Sequence, residues 1–119
     1  MEAGFLATGG IALVATADLE EAQASSTLGK FPDELAAAQR ALHRADAGGA
    51  RHLIARARYV EGRSYFNQGQ LRQAEESLQA ARQIFVDIGD RSGAAGALNI
   101  LGSVMSDRHD LAQAVVMYK

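Results

Sequence analysis

Shifted against itself by forty residues, the sequence stays in register from Ala17 to Lys119 without an insertion. Ala17, Ala57 and Ala97 coincide, as do Phe31, Leu71 and Leu111, Gly62 and Gly102, Ala41 and Ala81, and Ala74 and Ala114. Gly29 falls on Gly69, and Gly49-Ala50-Arg51 falls on Gly89-Asp90-Arg91. A fixed period of this length marks units that cannot bury their apolar faces alone and must stack on one another. That requirement restricts the fold more than any single motif in the chain.

The residues filling each period favour helix. The chain is rich in Ala, Leu, Gln, Arg and Glu, which lose little rotamer freedom in a helix, and it has one proline and 6% aromatics. The fold class predicted is all-α. Glycine costs about 1 kcal/mol inside a helix, so the twelve glycines are expected at turns or where two helices press together. Gly29-Lys30-Phe31-Pro32 places a glycine at a helix end and a proline in the next first turn, and Gly69-Gln70-Leu71 repeats the signal. In the third unit Asp107-Arg108-His109-Asp110 stands where that joint is due. Asp18, with Glu21 three positions on, is expected to cap a helix, and Asp90 to cap another. The pattern predicts helices near 4–16, 18–28, 33–46, 51–68, 71–87, 92–106 and 110–119, six or seven in all. Short links make consecutive helices antiparallel, in an elongated stack or superhelix.

Composition removes several functional classes. With no cysteine there is no disulfide framework, thiol nucleophile or thiolate metal site, which suits a reducing compartment. A net charge of −2 argues against a dedicated nucleic-acid binder. The apolar run Phe5–Ala17 ends in Ala15-Thr16-Ala17, but it lacks a positive leader and is too short to span a bilayer. It is expected to be a packed leading helix, and the compartment expected is the cytoplasm. No cofactor or metal is expected. His43, His52 and His109 are irregularly spaced, and no zinc-binding helix motif, phosphate-binding glycine loop or glycine-flanked serine is present. Each histidine reads as an exposed helical residue, so no enzymatic activity is expected.

Gly62-x-x-Tyr65 followed by Gly69, Leu71, Ala74, Leu78 and Ala81, and Leu101-Gly102 followed by Leu111 and Ala114, resemble the tetratricopeptide repeat. The phrase Gly89-Asp90-Arg91-Ser92-Gly93 before Ala97–Gly102 is similar to its forty-residue variant, found in kinesin-light-chain-like and G-protein-regulator-like arrays. Gly62 and Ala74 would let paired helices approach closely, with Tyr65, Leu78 and Phe85 filling the space beside them. The resemblance implies a right-handed α-α superhelix, with a leading helix at 1–14, a degenerate repeat at 15–54, a repeat at 55–94 and a truncated repeat at 95–119. The first unit departs from the pattern at Ala22, where glycine is usual, and at Glu34, where a small residue packs; Glu61 replaces a leucine. Val115–Lys119 fall midway through the second helix of the third unit. A piece of a longer protein is therefore expected, with homodimerisation through the exposed terminal helix as a by-product.

The resemblance also implies that the first helix of each unit lines a concave surface receiving an extended peptide or a partner helix. At 100° per residue, Arg56, Tyr59, Arg63, Phe66 and Asn67 share one stripe, apart from Ile54, Ala57, Ser64 and Tyr65. The first stripe suits recognition and the second packing; the plainer alternative makes Tyr59 and Phe66 core and leaves the arginines solvated. The equivalent stripes are Gly96, Asn99, Ser103, Ser106 and Asp107 in the third unit and Thr16, Leu19, Gln23, Ser26 and Thr27 in the first. Asn99 offers both a donor and an acceptor to a peptide backbone. Arg40, Arg44, Arg51, Arg56, Arg58 and Arg63 face only Asp46 and Glu61 in their stretch, a local excess of four positive charges. That excess would steer an acidic protein or peptide, unless the arginines only decorate outer faces. The groove expected is Arg56, Tyr59, Arg63, Phe66, Asn67, Asn99 and Ser103 in a protein-interaction scaffold with no nucleic-acid or membrane partner. The rival reading is a self-associating spacer within a signalling or transcription-regulating protein.

Overall fold

The computed structural model describes the backbone of residues 11–117 and the side chains of residues 14–109. Among the described residues the chain is all helix, in five pieces: α1 (Ile11–Thr27), α2 (Phe31–Gly48), α3 (Arg51–Asn67), α4 (Leu71–Asp87) and α5 (Arg91–Met117).

The joints repeat at half the period seen in the sequence. Gly29, Gly49, Gly69 and Gly89, twenty residues apart, all adopt the left-handed conformation, with φ between 68° and 78°. The residue after each glycine then works in both directions. The Lys30, Ala50, Gln70 and Asp90 amides donate back to the carbonyls of Ser25, Ala45, Tyr65 and Phe85 at 2.8–3.1 Å. Their own carbonyls accept the amides of Glu34, Ile54, Ala74 and Ala94 at 3.0 Å. One residue thus closes the outgoing helix and opens the next, and backbone groups that a helix end leaves orphaned find partners in two or three residues of link. Asp90 adds a side-chain cap, its Oδ1 accepting the Gly93 amide at 2.9 Å, as the sequence predicts.

Such tight joints lay consecutive helices side by side and antiparallel, and each helix packs on the next. The odd-numbered helices also meet across the intervening one, α1 with α3 and α3 with α5, more closely than α2 meets α4. The two sets form two layers, the odd one drawn tighter. Even helices bury one stripe each, and the stripes match position for position at forty residues: Glu34, Ala37, Ala38, Ala41 and Ala45 in α2, and Ala74, Ser77, Leu78, Ala81 and Phe85 in α4. This is the i, i+3, i+4, i+7 spacing of a one-sided helix. α3, clasped between its neighbours, buries residues around its circumference. Gly62 makes the close approach expected of it, since a Cβ there would lie 2.6 Å from Leu78 Cγ.

Three expectations need correction. The six or seven helices are five among the described residues, because two predicted breaks are absent. Asp18 does not cap a helix; it lies inside α1, buried, with Arg40 Nε 3.5 Å from one carboxylate oxygen and Arg44 on the other. Ala15, Leu19 and Ala22 carry one buried stripe past it, so nothing interrupts the helix. Asp107–Asp110 is likewise no joint, for α5 runs straight through it. The leading helix expected at 1–14 falls mostly outside the described residues.

Candidate functional site

The tight odd layer creates a cavity where α3 and α5 diverge above α4. It measures about 340 Å³ and is lined by His52, Arg56 and Tyr59 from α3, Phe85 from α4, and Asp90, Ser92, Gly93 and Gly96 at the start of α5. Two glycines one turn apart make the room. A Cβ at Gly93 would lie 2.4 Å from a ring carbon of Phe85, so the absent side chain lets that buried ring form the floor. At Gly96 a Cβ would touch the Tyr59 ring at an ordinary 3.6 Å, so here the absent side chain leaves open volume.

Polar groups ring this apolar floor. His52 Nε2 stands 3.5 Å from Asp90 Oδ2, and its ring meets Phe85 edge-on with centroids 6.3 Å apart. Tyr59 packs its ring into the core on both sides, against Phe85 and against the Leu78–Leu101 cluster. Its hydroxyl has no hydrogen-bond partner among the described residues.

The arginine-rich stretch resolves into pairs. Arg40 contacts Asp18 and Glu21, whose hydrogen bond holds the guanidinium proton more tightly than usual. Arg44 contacts Asp18, Arg51 lies 3.3 Å from Asp87, Arg58 3.1 Å from Glu61, and Arg63 3.7 Å from Glu34. Among the described residues only Arg56 of the six makes no ion pair, and Arg56 is the one on the cavity. Most of the apparent basic excess is therefore neutralised by acids that are distant in sequence.

Of the groove residues expected from sequence, the structure brings Arg56 and Tyr59 together at this cavity. Arg63 lies over the other side of Tyr59, its guanidinium carbon 5.8 Å from the ring centroid, and turns toward fully buried Glu34. Neither Glu34 carboxylate oxygen, nor Nε or Nη2 of Arg63, makes a hydrogen bond, so this pair is held by charge alone. Phe66 packs against the cluster of Ala74, Leu78, Leu101 and Val104. Asn67 ends α3, exposed; Asn99 and Ser103 lie exposed on α5, with the Ser103 hydroxyl 3.5 Å from the Asn99 carbonyl. None of these five lines the cavity. His52, Phe85, Asp90, Ser92 and Gly93 do, and the one-turn glycine pair Gly93 and Gly96 was the signal available for them. No group of three potential metal ligands occurs among the described residues, and no described helix is long and apolar enough to cross a membrane.

Comparison with protein-family models, curated proteins and solved structures finds no match to this chain.

Proposed function

We propose that this chain is a tetratricopeptide-like segment, its hairpins following a right-handed superhelix, that works as a protein-interaction scaffold in the cytoplasm. Its groove on the odd-helix side would receive an extended peptide in which an acidic residue neighbours an apolar one. One observation carries the reading: among the described residues Arg56 is the one arginine of the stretch without an ion pair, and it stands at the rim of an apolar cavity beside the Tyr59 phenol, which has no hydrogen-bond partner among them. A guanidinium in that position can hold a carboxylate through two parallel hydrogen bonds while the adjacent side chain covers Phe85. Because the cavity exists before binding, mainly the peptide loses freedom on association. The reading assigns no reaction to the site.

The test is amide chemical-shift mapping with an acetylated hexapeptide of alternating aspartate and leucine. Shifts should concentrate at His52, Arg56, Tyr59, Gly93 and Gly96, and should vanish in Arg56→Ala. Equal shifts from the peptide with lysine in place of aspartate, or shifts confined to other surfaces, would refute it.

A further inference from the structure

From Ser92 to Ser106, about four turns, α5 carries no charged residue, whereas in α2, α3 and α4 no two successive turns pass without one. Leu101 and Val104 of that run pack into the core with Ala74 and Leu78. The other side of the helix is open. Ala95 and Gly102 are exposed, Leu98 is 50% and Met105 48% exposed, and a Cβ at Gly102 would meet nothing within 4 Å among the described residues. At 100° per residue these four fall within an arc of about 80°, flanked by the exposed polar residues Asn99, Ser103 and Ser106. An uncharged apolar centre with a polar rim is the composition of an interface.

The α3–α4 interface shows what such a face receives. There Gly62 takes the Leu78 side chain, and seven residues away along each helix, in opposite directions, Ala55 shares a cluster with Phe85. Two small residues on one helix thus face two large ones on an antiparallel neighbour at matched spacing. Ala95 and Gly102 stand forty residues after Ala55 and Gly62, so α5 repeats the small pair of α3. Leu98 and Met105, also seven apart, repeat the spacing of Leu78 and Phe85 in α4. One exposed face therefore carries both halves of an interface that the chain already builds internally.

A face that holds sockets and knobs together is completed by its own copy. Two α5 helices laid antiparallel about a two-fold axis midway between residues 98 and 102 place each Leu98 over the other chain's Gly102, and each Met105 over the other chain's Ala95. Every contact is then large on small and is made twice, as a two-fold interface requires. A parallel pair on the same face would set Leu98 on Leu98 and Gly102 on Gly102. The antiparallel pair also accounts for Gly102 itself. Glycine weakens a helix interior and belongs where another group must come close; Gly62 and Gly93 have Leu78 and Phe85 against them, and Gly102 would have Leu98 of the second copy.

We propose that this protein forms a two-fold dimer through the Ala95, Leu98, Gly102 and Met105 face of α5, with the two helices antiparallel. The contact is shorter than a standard interface of about 20–30 residues a side, so the dimer is reversible, with a dissociation constant on the order of 10–1000 μM. Gly93, on the cavity, points about 180° away from Gly102 around the helix, so the pairing leaves the cavity open and owes nothing to what occupies it.

Sedimentation equilibrium from about 10 μM to 1 mM should show the average mass rising from 12.6 kDa toward twice that value. Gly102→Leu, whose side chain enters open space and should leave the circular dichroism of the monomer unchanged, should weaken dimerisation by about tenfold or more. Leu98→Gly should do the same. The double variant Leu98→Gly with Gly102→Leu should restore it, because large and small have only exchanged places. Register is tested with disulfides, since the chain has no cysteine. When Ala95→Cys and Met105→Cys variants are mixed in equal amounts and oxidised, the mixed disulfide should far exceed the chance level of about half: in the antiparallel pair residue 95 lies about 15 Å from its own copy, and a disulfide requires Cβ atoms within about 4.5 Å. A monomer at every concentration, which would leave the face to a helix of another protein, overturns the proposal. So do single variants that dimerise like the parent, a double variant no better than the singles, or a mixed disulfide at chance level.

Discussion

Gly93 and Gly96 sit one turn apart on the same helix, yet alanine should act on them in opposite directions. At Gly96 the new methyl meets the Tyr59 ring at 3.6–4.0 Å, an ordinary contact. The helix gains most of the glycine-to-alanine difference, about 0.8–1 kcal/mol, and the cavity loses a methyl's volume. At Gly93 the methyl would lie 2.4, 2.6 and 2.7 Å from three atoms of Phe85, a residue only 4% exposed whose ring must leave its packed position against Ala55 and Ala81 to make room. Overpacking of this kind costs about 1–3 kcal/mol, which exceeds the propensity gain near a helix start. Net stability should rise by about 1 kcal/mol for Gly96→Ala and fall by about 1–2 kcal/mol for Gly93→Ala. In urea, with a slope of about 2 kcal/mol per molar, the midpoints should move by about half a molar up and half to one molar down. Circular dichroism at 222 nm measures both. Shifts of the same sign would refute the packing argument, since propensity alone would then account for them. Gly96→Ala carries a second expectation: the more stable protein should bind the aspartate–leucine peptide about tenfold less well.

The ion pair of Glu34 and Arg63 should respond unequally to its two truncations. Arg63→Ala strands a fully buried carboxylate and should cost about 3 kcal/mol, whereas Glu34→Ala installs the residue found forty positions later and should cost under about 1 kcal/mol, both read by urea denaturation. Ser77→Ala removes the hydroxyl that solvates Glu61 and should cost about 2 kcal/mol; the double variant Glu61→Leu with Ser77→Ala should recover most of it, as a thermal melt would show. Gly69→Ala meets no neighbour within 4 Å, so its loss should be the conformational penalty alone, about 1 kcal/mol, and a markedly larger one would mean the joint has a partner.

The two-helix unit was legible because its punctuation is local: a glycine ends each helix, and the buried stripe of α2 repeats in α4. The two breaks that the sequence predicts and the structure lacks have different causes. Asp18 has the side chain of a helix start, but Arg40 and Arg44 arrive from the next helix and occupy its carboxylate. Asp107–Asp110 is polar enough for a turn, but without a glycine at 109 its backbone lacks an inexpensive way to reverse. The half-period of twenty was equally written in the glycines, and it is masked because alternate helices face opposite layers. At the site, periodicity along α3 found Arg56 and Tyr59, which project from one helix. It could not find Phe85 or Gly93, which reach the cavity only once three helices cross, nor the acids that neutralise the other five arginines across 3 to 36 residues of sequence.

The residue that follows each left-handed glycine, at once the last of one rod and the first of another, makes the seams interchangeable. Lys30, Ala50, Gln70 and Asp90 perform the same task with four unrelated side chains, so what the seam demands is backbone alone. A duplicate of residues 51–90 spliced in after Asp90 would introduce no junction the protein does not already contain, and each rod would keep its layer. Splicing in half that length would send every later rod to the wrong side. The seams by themselves would allow growth by twenties; the alternation of layers restricts this chain to growth by forties.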